Sequence, residues 1–137
     1  MKHAFVDANV ILRFLTGDPP DLAAQARTLF EAVDGGQLAL ILDEIVVAET
    51  VWVLQSFYAY PSDRISQVLQ RLLSHDGLKA DRKAGLLLAL NLFAERDVDF
   101  ADALLAVHMA QQGTKDIYSF DHHFDRLPDV RRHVPGK

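Results

Sequence analysis

The run Leu38-Ala39-Leu40-Ile41-Leu42 has no polar side chain and is closed off by Gln37 and Asp43. It reads as a strand buried on both faces, and such strands belong to sheets covered by helices on either side. The surrounding segments supply both partners. His3 to Asp7 is a second short strand candidate, and Asn9 is placed to cap a helix from Val10 to about Thr16. Gly17-Asp18-Pro19-Pro20 breaks the chain before a second helix, with Pro20 suited to its first turn. That helix carries Leu22, Ala26, Leu29, Phe30 and Val33 as an inward stripe and stops at Gly35-Gly36. Further helices are predicted from Glu44 to Tyr58 and from Pro61 to His75, the latter with Ile65, Val68, Leu69 and Leu72 inward. Two more are predicted over 82–96 and 101–112, the last ended by Gly113. Ile117-Tyr118-Ser119-Phe120 reads as a final strand, followed by an irregular tail with room for one short edge strand.

Strands separated by helices require crossover connections, hence a parallel sheet with helices on both faces: a three-layer α/β/α fold. The 137 residues, half of them hydrophobic, contain no repeat or long linker and are expected to form one continuous domain, 1–137. The absence of cysteine excludes disulfides and thiolate metal sites. No apolar run approaches the roughly 20 residues that span a bilayer. An acid at position seven also interrupts the apolar stretch that a signal peptide needs. A soluble, cytoplasmic protein without membrane attachment is the expectation. The net charge of −5 argues against holding nucleic acid by bulk electrostatics, but suits an enzyme whose acids are offset by bound cations.

Ligands of parallel α/β folds bind beyond the carboxyl ends of the strands. Asp7 and Asp121 each follow a strand candidate, while Glu49 and Asp102 share helix faces with apolar neighbours: Ile45, Trp52 and Val53 for one, Leu105, Ala106 and Met109 for the other. Singly, each acid has an ordinary explanation. Asp7 can form an Asx turn, Asp121 a turn or cap, Glu49 can reach the helix rim, and Asp102 can favour a helix dipole. Together they are harder to dismiss, because an unpaired buried carboxylate costs several kcal/mol. No Lys or Arg lies between Leu38 and Ala59, so a shared hard cation accounts for them better than ion pairing.

The same residues carry a family resemblance. Phe5-Val6-Asp7-Ala8-Asn9-Val10-Ile11-Leu12 resembles the opening motif of PIN-domain nucleases. Val47-Ala48-Glu49-Thr50, Asp99-Phe100-Ala101-Asp102-Ala103 and Tyr118-Ser119-Phe120-Asp121 resemble the segments bearing the family's second, third and fourth acids. The resemblance covers the whole chain in order, at the length of VapC-type toxins of toxin–antitoxin pairs. It implies a Rossmann-like α/β/α fold, Mg²⁺ or Mn²⁺, endonucleolytic cleavage of RNA, homodimers, and a small antitoxin that covers the active site. Carried over by position, the catalytic set is Asp7, Glu49, Asp102 and Asp121. Asp7, Asp102 and Asp121 are then the chief metal ligands, with Asn9 orienting Asp7 from behind.

The chain departs from the pattern at His123, where many relatives carry a further acid. The favoured reading of His123 is exposure to solvent, with contact to phosphate as the alternative. Arg126, Arg131, Arg132, His133 and Lys137 could steer a phosphate backbone, but Asp125 and Asp129 are interspersed among them. Trp52 and Tyr58 read as core and interface residues. Two other functions compete with the nuclease. One is a catalytically inert PIN-like interaction module. The other is a haloacid-dehalogenase-like phosphatase with Asp7 as nucleophile, against which Asn9 stands where a proton-exchanging Asp is needed.

Overall fold

A computed structural model describes residues 2–137. The chain packs as two compact units that meet in sequence between Lys83 and Ala84. The first holds β1 (Lys2–Phe5), α1 (Ala8–Thr16), α2 (Pro20–Asp34), β2 (Leu38–Ile41), α3 (Glu44–Ser56), α4 (Ser62–Leu73) and β3 (Leu78–Lys79). Its sheet has the order β1-β2-β3, with both pairs parallel. Phe5 stands opposite Ile41, and Ile41 opposite Lys79. The ladder runs one step further through Val6 N–H to Ile41 C=O (3.2 Å) and Leu42 N–H to Lys79 C=O (2.8 Å). β2 is the central strand, and the successive residues Ala39 and Leu40, which point to opposite faces, are both buried. The α/β fold with a parallel sheet alternating with helices is the one the sequence predicts.

Helix starts differ from the sequence expectation in one instructive place. Asn9 does not cap α1; Asp7 does, its Oδ1 accepting from Val10 N–H at 3.2 Å. Ala8 and Asn9 are already helical, so the residue before them takes the cap. Asp43 repeats the arrangement at the exit of β2, accepting from Ile45 N–H at 2.9 Å.

The inward faces also shift in detail. In α2 the buried residues are Ala23, Ala26, Phe30 and Val33, and Leu22 is exposed: the stripe begins one position later than its large side chains suggest. In α4 Ser66 and Leu73 join Ile65, Leu69 and Leu72 inside, and Val68 is only half-buried. The larger correction is α3. Its buried face is Val47, Thr50, Val51 and Leu54, whereas Ile45 (74% exposed) and Trp52 (66% exposed) face outward. The helix is apolar nearly all round, so periodicity alone could not choose its face. Thr50 goes inward because its hydroxyl donates to Val46 C=O at 2.7 Å, which leaves only its methyl to be packed. β3 has two residues and one apolar side chain, too little to register as a strand in sequence.

The second unit holds α5 (from Lys83–Arg96, its first residue lying at the boundary), α6 (Phe100–Gln112), β4 (Asp116–Tyr118), a 3-10 turn (His122–Arg126) and β5 (Arg131–His133). β4 and β5 pair in parallel, Ile117 opposite Arg132. Leu86, Ala89, Leu90 and Phe93 of α5 and Phe100, Ala103 and Val107 of α6 are buried, with Phe93 and Phe100 in edge contact at 6.1 Å. Gly113 ends α6 in the left-handed conformation. Phe124 and Leu127 are also buried, which anchors the 3-10 turn at both ends of its last residues. Among the described residues no helix is long and apolar enough to cross a membrane.

Gly77 enters β3 so close to α2 that a Cβ there would meet Val33 Cγ1 at 2.5 Å and Val33 O at 2.9 Å. Gly77→Ala is therefore expected to destabilise the protein by about 1–3 kcal/mol, the usual cost of overpacking. Urea denaturation would show it as a lowered midpoint.

Candidate metal centre

The second unit assembles a compact donor set from two short pieces of chain. Asp99 is the N-cap residue of α6 without a side-chain capping bond, and Asp102 lies in the first turn. Three positions apart on a helix, they share one face. The other piece is the 3-10 turn, which Asp121 caps: its Oδ1 accepts from His123 N–H at 2.8 Å, while its own N–H donates to Ser119 Oγ at 2.9 Å. These two bonds fix both Asp121 and the backbone of His123. The result places one ligand atom each of Asp99, Asp102 and His123 within 4.8 Å of one another.

Two atoms of this set are buried with no hydrogen-bond partner, Asp102 Oδ2 and His123 Nδ1. Asp121 Oδ1 lies 3.4 Å from His123 Nδ1 without forming a hydrogen bond to it. Buried polar atoms are normally satisfied, so an unsatisfied oxygen and nitrogen side by side point to a missing partner. Burial pushes the Asp102 carboxyl above its ordinary range; the charges of Asp121 and Asp99 push the same way, and His123 opposes them. Two carboxylates and an imidazole are donors that a divalent cation accepts.

His123 is thus not simply exposed, as the sequence suggested. It is partly buried because the 3-10 turn folds back on the capping carboxylate of Asp121. Arg132 holds the same turn from β5. Only 11% exposed, its guanidinium donates to both oxygens of Asp125 (3.1 and 3.3 Å) and to Ser119 C=O (3.0 Å), and lies 3.0 Å from His122 Nδ1. Arg126, Arg131 and His133 of the tail are engaged with acids as well. Arg131 and His133 contact Asp116, and Arg126 pairs with the backbone carbonyl and carboxylate of Asp97. The tail is therefore a set of ion pairs more than a free cationic surface.

Of the acids singled out in sequence, the structure brings Asp102 and Asp121 together in the second unit. Asp7 and Glu49 belong to the first. Asp7 is exposed just beyond the end of β1, with Oδ1 occupied by the helix cap and its orientation thereby set. The bond that fixes it comes from the Val10 backbone, and Asn9 lies exposed in the first helical turn. Glu49 is exposed on the outward side of α3 that also presents Ile45 and Trp52, so burial does not distinguish it. Sequence reasoning passed over Asp99 and read His123 as surface. The Asp-x-x-Asp spacing at a helix start was the available signal for Asp99; nothing local signalled that the 3-10 turn would tuck His123 inward.

The PIN-domain family model matches residues 4–130, and the protein belongs to that family. It is 25% identical over 122 residues to a VapC ribonuclease of Aquifex aeolicus (strain VF5), covering 89% of this chain and 90% of that protein. Among solved structures it is similar to Mycobacterium tuberculosis VapC20, described as a sarcin-ricin loop cleaving toxin. The identity there is 17%, the coverage 91% of this chain and 95% of that one, and the TM-score 0.42. It is also similar to VapBC2 from Rickettsia felis, solved bound to a DNA fragment from its promoter, at 16% identity, 98% coverage of both chains and a TM-score of 0.39.

Because burial and neighbouring acids raise the Asp102 carboxyl, its ionisation opposes folding: stability is lost as pH rises from the ordinary value of 3.8 through the raised one. In EDTA, Asp102→Asn is expected to melt higher than wild type at pH 7 and to show no such advantage below pH ~3.8. Thermal melts across pH would check this. The sign reverses at Asp125, whose carboxyl is held below its ordinary value by the Arg132 hydrogen bond first and His122 second. That contribution is complete above 3.8 and is lost as pH falls through the depressed value. The expected outcome is that the amide resonances of Asp121 and His123 shift together in that acid window, and that Arg132→Ala moves the transition up toward the ordinary carboxylate range.

Proposed function

We propose that this PIN-domain protein is a divalent-cation-dependent endoribonuclease, the toxin of a toxin–antitoxin pair. The observation that carries the reading is the buried, unpartnered Asp102 Oδ2 beside His123 Nδ1 and Asp99. The name of the Aquifex relative, a ribonuclease matched over nearly its full length, supports RNA as the substrate class. The family match runs across the boundary between the two units, which supports their acting as one nuclease domain over residues 1–137.

The residues proposed to carry the chemistry are Asp7, Glu49, Asp102 and Asp121, with Mg²⁺ or Mn²⁺ held chiefly by Asp7, Asp102 and Asp121. A bound divalent ion supplies Lewis-acid polarisation of the phosphodiester and lowers the pKa of a water nucleophile. The protein's own part is positioning. Asp7 and Asp121 each spend one oxygen on a backbone cap, which fixes the direction of the carboxylate before any ion or substrate arrives. Asp102 presents an oxygen that no protein donor competes for. Glu49 orients the attacking water, and Asn9 steadies Asp7 when a cation draws on the capping carboxylate. The exposed Ile45, Trp52 and Phe57 side chains of the α3 region support a protein partner, for which a second copy and a small antitoxin are proposed. The proposed setting is the cytoplasm.

The test is incubation of the purified, partner-free protein with a mixed RNA pool in Mg²⁺ or in EDTA. Discrete cleavage is expected only with the metal. Asp7→Asn, Glu49→Gln, Asp102→Asn and Asp121→Asn should each lower the rate by about 100-fold or more, and pairs of these changes should be far less than additive. Cleavage that persists in excess EDTA would sink the reading.

A further inference from the structure

Three acids on a hard-cation site would make an all-oxygen centre, the chemistry that magnesium prefers. The structure puts something else there. The third donor within 4.8 Å of Asp99 and Asp102 is an imidazole, and its Nδ1 is buried without a hydrogen-bond partner although the ring itself is 40% exposed. The ring therefore has an open edge and a closed one, and the closed nitrogen is on the side of the Asp121 carboxylate. His123 is not free to swing away. Its backbone N–H is tied to Asp121 Oδ1 at 2.8 Å, and the turn that carries it is clamped by Arg132 through Ser119 and Asp125. Phe124, the next residue, is buried and anchors the turn from below. A nitrogen held at this place beside two carboxylates is a mixed nitrogen–oxygen donor set.

We propose that His123 is a direct metal ligand through a ring nitrogen, alongside Asp99 and Asp102, and that the site selects Mn²⁺ over Mg²⁺. The inference rests on the metal-site reading of the proposed function, adds Asp99 and His123 to the ligands around Asp102, and specifies which ion the site takes. Imidazole binds first-row transition ions well, and Mn²⁺ accepts both carboxylate and imidazole. Mg²⁺ demands near-ideal octahedral oxygen coordination and gives up its water reluctantly. Replacing an oxygen donor by nitrogen at one corner thus costs Mg²⁺ more than Mn²⁺. Asp99 gains a role here that its exposed position as an uncapping N-cap residue does not otherwise give it.

The experiment is pulsed electron paramagnetic resonance of Mn²⁺ bound to the full chain, with isothermal titration of Mn²⁺ and Mg²⁺. Wild type, His123→Asp and Asp102→Asn are compared, each checked by thermal melting to be folded. Expected is ¹⁴N modulation from a directly bound nitrogen in wild type and none in His123→Asp. The preference for Mn²⁺ over Mg²⁺ should fall by roughly tenfold in that variant, the scale of losing one partner in a metal's ligand shell. Mn²⁺ that binds, is lost in Asp102→Asn, and shows no nitrogen modulation overturns the His123 assignment while leaving the metal site in place. Modulation that survives His123→Asp overturns it too, by assigning the nitrogen to another histidine. Wild type that binds Mg²⁺ but not Mn²⁺ overturns this inference alone, and absence of binding of either ion overturns the cation-dependent function as well.

Discussion

The parallel ladder around β2 governs what this chain can do with its acids. Parallel strands cannot be joined by a tight turn; each must exit at the same edge of the sheet and return through a crossover. A helix that begins at such an exit exposes unpaired backbone N–H groups, and a short acidic side chain is among the best acceptors for them. Asp7 and Asp43 do this after β1 and β2, and Asp121 does it at the 3-10 turn after β4. The sheet topology thus recruits carboxylates to strand exits for structural reasons, before any question of catalysis arises. What distinguishes a functional acid from a mere cap is what its second oxygen and its neighbours face.

On that criterion the acids are not equivalent. Asp43 also caps a helix at a strand exit, through the Ile45 N–H two residues on where Asp7 takes the Val10 N–H three residues on, which shows that a strand-exit acid is not by itself a site. Asp121 caps its turn and at the same time adds charge against Asp102, a neighbour that burial already disfavours as an anion. That second relation raises the cost of ionising Asp102, whose Oδ2 is buried without a hydrogen-bond partner. Asp102 Oδ2 and His123 Nδ1 are the buried side-chain atoms without a partner among the described residues, and local inconsistency of this kind is where function is expected to reside.

The strand-helix alternation, the parallel sheet and most helix limits were legible in the sequence, because buried strands and amphipathic helices leave strong patterns. The failures have physical causes. α3 is apolar on nearly every side, so its pattern could not say that Ile45 and Trp52 face outward, and the argument that Glu49 shared the core face falls with it. Asp7, Glu49 and Asp121 are all exposed; their positions in sequence, not their burial, drew attention to them. Asp102 alone keeps the partly buried, unsatisfied character inferred for all four. The 3-10 turn was illegible because its one strong determinant, the Asp121 cap on His123 N–H, looks in sequence like any acid beside a histidine. Short β3 and the exact placement of β4 depend on hydrogen bonds with distant partners, Leu40 and His133 among them, which a local reading cannot supply.

The histidine at position 123 also resolves an electrostatic difficulty. Asp99, Asp102 and Asp121 already repel one another, and the penalty concentrates on Asp102, the most enclosed. A further acid in place of His123 would add to that repulsion in the metal-free protein, where no cation is present to offset it. When protonated, the imidazole acts in the other direction, easing the ionisation of Asp102. Metal centres face this conflict generally, since the anionic donors that bind an ion tightly destabilise the fold that must wait for it. A nitrogen donor supplies a ligand without a negative charge. On the proposal that His123 is a ligand, such a donor adds to the site without adding a further carboxylate beside Asp102.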